Sequence, residues 1–134
     1  MTDYMNKVIG CAQAGGIACE NPEDDCLRVS FSGKNADRIP VDIYFSETEK
    51  NVVELICFSI ATFDDARLQN GLIVCNELNR KNKWVKFCLD SDNDLLCKMD
   101  LFVKEGSCGE ECICLARRMA ALVDDNYPAI LQAL

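Results

Sequence analysis

The run from Ile39 to Ala61 constrains this chain more than any other stretch. Ile39, Val41, Ile43 and Phe45 alternate with Pro40, Asp42 and Tyr44, the period of a strand with one apolar face. A charged turn from Glu47 to Asn51 follows. Val52 to Ala61 is then apolar at nearly every position, broken only by Glu54 and Ser59. A strand apolar on both sides belongs at the centre of a sheet or under a second cover.

The remaining elements are read in the same way. Tyr4, Met5, Val8, Ile9 and Ala12 recur at helical spacing, so residues 3–13 form a helix that Gly15-Gly16 ends. Cys19 to Asp25, containing Pro22, reads as a polar loop. Leu27, Val29 and Phe31 alternate with Arg28 and Ser30, a short strand, and Ser32-Gly33-Lys34-Asn35 is a turn. Thr62-Phe63-Asp64-Asp65 has the form of a capping box with Asp in place of Glu. Leu68, Leu72, Cys75, Leu78 and Asn79 then carry a second helix to Asn82. From Lys83 to Leu89, Val85, Phe87 and Leu89 alternate with Trp84, Lys86 and Cys88. Asp90-Ser91-Asp92-Asn93 is a hairpin turn, and Leu95, Cys97, Met99 and Leu101 face the core from a fifth strand. Cys112, Leu115, Met119 and Leu122 step by three, four and three in a third helix, which Asn126-Tyr127-Pro128 ends. The order α-β-β-β-α-β-β-α describes an α+β sandwich, an antiparallel sheet with helices packed on it. With 134 residues and no linker or repeat, residues 1–134 form a single domain.

Several function classes fall away. The net charge is −8, which disfavours nucleic acid and anionic membrane surfaces. No apolar run is long enough to span a bilayer, and Met1-Thr2-Asp3-Tyr4 lacks the basic start of a signal peptide. A cytoplasmic location is therefore expected, and there the ten cysteines serve as free thiols packed like small hydrophobes. The chain has no histidine, which removes the commonest general base and the usual nucleophile partner. No phosphate-binding glycine loop is present. Asp90-x-Asp92-x-Asp94 imitates the opening of a calcium loop, but Leu95 stands where that loop needs Gly and Leu101 where it needs Glu. Cys108-x3-Cys112-x-Cys114 is the tightest cysteine cluster. On a helix Cys112 and Cys114 point about 200° apart, and a zinc site would want a second well-spaced pair. Cys108 and Cys112 can share a face. No catalytic, cofactor-binding or metal-binding residue is expected, nor any enzyme activity. A cysteine-based redox or metal sensor in this region is the alternative to a binding role.

What remains is apolar excess on the sheet. Tyr44, Trp84 and Cys88 oppose the regular core positions, and the doubly apolar strand adds Leu55 and Cys57. These five form the candidate partner surface. Three helices are few for two sheet faces, so a second copy or another protein is expected on the barer one. An apolar groove and strand addition at a sheet edge are the two modes of peptide binding to consider. Asn79 is expected to bond backbone where the second helix meets the next strand.

The second half also resembles a known family. Asn76-Glu77-Leu78-Asn79 ends a helix, Lys86-Phe87-x-Leu89-Asp90 follows on a strand, and a third helix closes in Asp124-Asp125-Asn126-Tyr127-Pro128. With the Asp/Asn turn between them, these resemble the YbjN family of bacterial sensory-transduction regulators, most closely over residues 62–131 and by element order over 1–61. The resemblance implies a fold similar to the type III secretion chaperones and a non-enzymatic, often dimeric, protein- or peptide-binding domain. It carries no catalytic residues across. The cysteine excess is not part of the family pattern.

Overall fold

A computed structural model describes residues 3–46, 48–49 and 51–134. The chain runs α1 (Asp3–Ala14), β1 (Ala18–Glu23), β2 (Cys26–Phe31), β3 (Ile39–Phe45), β4 (Val52–Thr62), α2 (Leu68–Lys81), β5 (Lys86–Leu89), β6 (Asp94–Phe102) and α3 (Cys108–Gln132). The six strands form one antiparallel sheet in the order β1-β2-β3-β4-β6-β5. β4 lies in the middle between β3 and β6, where a strand apolar on both sides belongs. The expected turn at 47–51 includes residues 47 and 50, which lie outside the described residues.

One strand was not foreseen. Ala18–Glu23, expected as loop, pairs with β2 as the sheet edge. Its side chains are almost all exposed, so no burial period marks it. Pro22 is tolerated because an edge strand has a free side and the register shifts between Glu20 and Glu23. The Asn21 amide closes the β1–β2 turn by donating to the carbonyls of Glu23 (2.8 Å) and Cys26 (2.6 Å).

The core lies between one face of the sheet and α1 and α3. Val29, Val41, Leu55 and Cys97 meet Met5 and Val8 of α1 and Ala116 and Met119 of α3, all buried in one cluster. The close crossing of the two helices needs Gly109, since a Cβ there would come within 2.7 Å of the Cys11 sulfur and the Lys7 carbonyl. α2 packs along β5 instead. Its buried residues are Gly71, Val74, Cys75 and Leu78, whereas Leu72, expected on that face, is 56% exposed. Phe63 takes the space over Gly71. Thr62 belongs to β4, and the cap is Asp64, whose carboxylate accepts from Arg67 N at 2.9 Å and opens a short 3-10 turn.

α3 continues through Pro128, where the sequence suggested a stop. Proline at 128 cannot donate to the carbonyl four residues back, at Asp124. The Asn35 amide donates to that carbonyl instead, at 3.0 Å. The Asp124 carboxylate accepts from the backbone N–H groups of Lys34, Asn35 and Ala36 at 2.8–3.0 Å. These bonds hold its pKa below the usual carboxylate value. One aspartate thus fastens the β2–β3 loop to α3, and Gly33 is required because a Cβ there would strike the same carboxylate.

Candidate functional site

Strand alternation sends the other half of each strand to the face away from α1 and α3. Rows across that face follow from the register. Cys26 pairs with Tyr44 and Tyr44 with Glu54, which lies opposite Asp100. Arg28 pairs with Asp42, Asp42 with Ile56, Ile56 with Lys98 and Lys98 with Lys86. Cys26, Ile56 and Leu96 are buried yet stand outside the core cluster. Their shelter comes from neighbouring side chains on the face itself.

Two features give this open face its relief. The Arg28 guanidinium forks onto Asp42, Nε to Oδ1 at 2.6 Å and Nη2 to Oδ2 at 2.9 Å. That bidentate pair neutralises a buried carboxylate. The second feature is a bulge in β4. Cys57 faces Cys97 and Ala61 faces Leu95, so residues 58–60 share one position opposite Leu96. Ser59 takes the left-handed conformation, φ 51°, a strained choice for a residue with a Cβ. The bulge presents Phe58, whose ring meets Tyr44 edge-on at 6.4 Å between centroids. Phe58 is 38% exposed, and Phe102 at the end of β6 is 74% exposed.

Of the five residues expected to form a partner surface, the structure brings two to this face. Tyr44 and Cys88 lie on it, both half-buried. Leu55 and Cys57 point the other way, into the core. Trp84 sits before β5, packed against the core with the Arg118 guanidinium of α3 5.3 Å from its ring centroid. Phe58 and Phe102 escaped the sequence reading. Phe102 did leave a trace: it is an apolar residue at the parity of Lys98 and Asp100.

The sheet edges differ from an open template. Asn79 on α2 accepts from Phe87 N at 2.7 Å and donates to Phe87 O at 2.9 Å, as expected of a residue at that junction. Its amide occupies both outward groups of β5 at that residue. The β1 edge is short and interrupted by Pro22. Strand addition therefore finds little purchase.

The cysteines are free thiols. The sulfurs of Cys108 and Cys112 lie 4.0 Å apart in the first turn of α3, both fully buried, while Cys114 is exposed. Burial pushes the thiols of Cys108, Cys112 and Cys97 up, that of Cys57 up to about 12, and those of Cys26 and Cys75 up to about 11. Such thiols are poor nucleophiles. Among the described residues, no three His, Cys, Asp or Glu side chains are gathered to hold a metal.

A family model for YbjN, described as "Putative bacterial sensory transduction regulator", matches residues 10–132. The chain belongs to the YbjN family. The crystal structure of YbjN from E. coli, described as "a putative transcription regulator", superposes on this YbjN-family chain with a TM-score of 0.63 at 11% identity. It covers 93% of this chain and 92% of that one, so the fold is shared. The Yersinia pestis type III secretion chaperone SycH, solved with a fragment of YscM2, gives a TM-score of 0.48 at 14% identity over 87% of this chain and 96% of that one. No curated protein matches the sequence. No helix among the described residues is long and apolar enough to cross a membrane.

Proposed function

We propose that this YbjN-family chain is a non-enzymatic, cytoplasmic regulatory module that binds protein through the open face of its sheet, with a second copy of itself as the occupant. The observation that carries the reading is the aromatic relief on a face without helices: Tyr44 and Phe58 meet edge-on toward the bulged end, and Phe102 stands out at the opposite end of β6. Exposed aromatic side chains on an otherwise uncovered face are the usual anchors of protein interfaces.

Charge supports the same reading. The chain carries −8 overall, and the open face carries Arg28, Arg38, Lys86 and Lys98 against Glu20, Glu23, Asp42, Glu54 and Asp100. Four positive charges stand against five negative ones, and Asp94 at the bulged end makes a sixth, a balance of −2. Two copies therefore approach through this face against less repulsion than the rest of the surface, which carries the larger share of the −8, would impose. The absence of histidine and the raised thiols argue for binding over catalysis or thiol chemistry.

Thiol labelling tests the reading. Cys88 lies on the open face and Cys114 on the exposed side of α3. Raising the protein concentration should slow labelling of Cys88 and leave Cys114 unchanged. Equal rates for Cys88 at all concentrations would remove the second copy from this face.

A further inference from the structure

The open face sets like charges directly across from one another twice, with opposite signs. Glu54 of β4 faces Asp100 of β6, and Lys98 of β6 faces Lys86 of β5. Like charges opposite each other on neighbouring strands destabilise a sheet. All four side chains are exposed or half-exposed, and none takes part in the ion pairs found among the described residues, which join Lys7 to Glu105, Arg28 to Asp42 and Arg38 to Glu20. The acidic pair and the basic pair are neighbours, since Lys98 and Asp100 are two residues apart on one strand and project from the same face.

We infer that these two pairs are the recognition code of a self-complementary dimer, in which the Lys86–Lys98 pair of one copy sits on the Glu54–Asp100 pair of the other. The inference rests on the open face being the docking surface and adds which residues set the register. A two-fold axis lying between two stacked faces, midway between the acidic and basic pairs, carries each onto the other. One rotation thus satisfies both contacts at once, as an isologous interface requires. The spacing of the two pairs is then matched automatically, because both copies share it. Any other partner would have to reproduce an acidic and a basic pair at the same separation. The neighbouring Ile56, Phe102 and Tyr44 fill the space beside the charges with apolar area. Two copies in this arrangement offset four like-charge contacts, the two that each chain alone leaves standing.

Charge reversal in halves tests the code. The variant Lys86→Glu with Lys98→Glu makes the site wholly acidic, and Glu54→Lys with Asp100→Lys makes it wholly basic. The wild type should run as a dimer by light scattering at high micromolar concentration, and each variant alone as a monomer. An equimolar mixture of the two variants should recover the dimer mass, and added salt should weaken it. The swaps are at accessible positions, so melting midpoints should stay near the wild-type value and show that the chains are folded. A dimer that survives either half-reversal, or a mixture that stays monomeric, overturns the code. If the half-reversed variants remain dimers but Cys88 labelling still slows with concentration, the open face docks and only the charge register fails. A wild type that is monomeric with Cys88 labelled at one rate throughout removes both.

Discussion

The covered and open faces of this sheet come from the same strands yet obey different rules. On the covered face Val29, Val41, Leu55 and Cys97 meet helices α1 and α3, and every row is apolar. On the open face charged and aromatic residues share the rows, and buried side chains are sheltered by neighbours on the sheet. The covered face is organised by volume, so its residues answer for stability. The open face is organised by charge placement and exposed rings, so its residues answer for association.

The largest separation of the two comes from truncating a pair of residues on β4. Leu55→Ala removes a fully buried side chain from the core and should lower unfolding free energy by roughly 2–5 kcal/mol in denaturant titration. Phe58→Ser, three positions along the same strand, should change it by less than about 0.5 kcal/mol. Comparable losses at the two positions would erase the distinction.

Asn79→Ala comes next. It leaves both backbone groups of Phe87 without their amide partner, and should cost about 2 kcal/mol. Asn79→Asp keeps the acceptor for Phe87 N and loses the donor, so it should fall between. An unchanged midpoint for Asn79→Ala would show that the β5 edge holds without α2.

Alkaline pH separates the faces more gently. Cys57, on the covered face, is raised from 9.0 to about 12, so the folded chain keeps its proton while the unfolded chain ionises. Stability is full below about pH 9 and declines as pH rises from there toward the folded value, by up to about 1.4 kcal/mol per pH unit for that thiol. Cys57→Ala should make the decline shallower than in wild type. A stability curve flat from pH 9 to 11 would contradict the burial of these thiols.

How much of this was legible in the sequence divides along the same line. The covered face was readable because burial imprints a period: Ile39, Val41, Ile43 and Phe45 lie inward as expected, and the apolar run of β4 is central. Asn79 was readable because an asparagine where a helix hands over to a strand can bond neighbouring backbone groups through its side chain. β1 left no period because both its sides are exposed. Pro128 was misleading because the substitute donor, Asn35, lies far away in sequence. The partner surface was only partly readable. Parity assigns Leu55 and Cys57 to the core once the register with Ile43 is known, and that register is a fact of pairing between strands. Trp84 fell outside because β5 begins at Lys86, two residues beyond it. Phe58 became visible only through the bulge at Ser59.

The mass of the chain in solution, measured with and without the exposed rings of the open face, tests the central claim most directly. Light scattering at high micromolar concentration should give a dimer for the wild type and a monomer for Phe58→Ser with Phe102→Ser, at closely similar melting midpoints. A wild type that is monomeric at that concentration, or a double variant that remains a dimer, would contradict the assignment of the open face as the docking surface for a second copy.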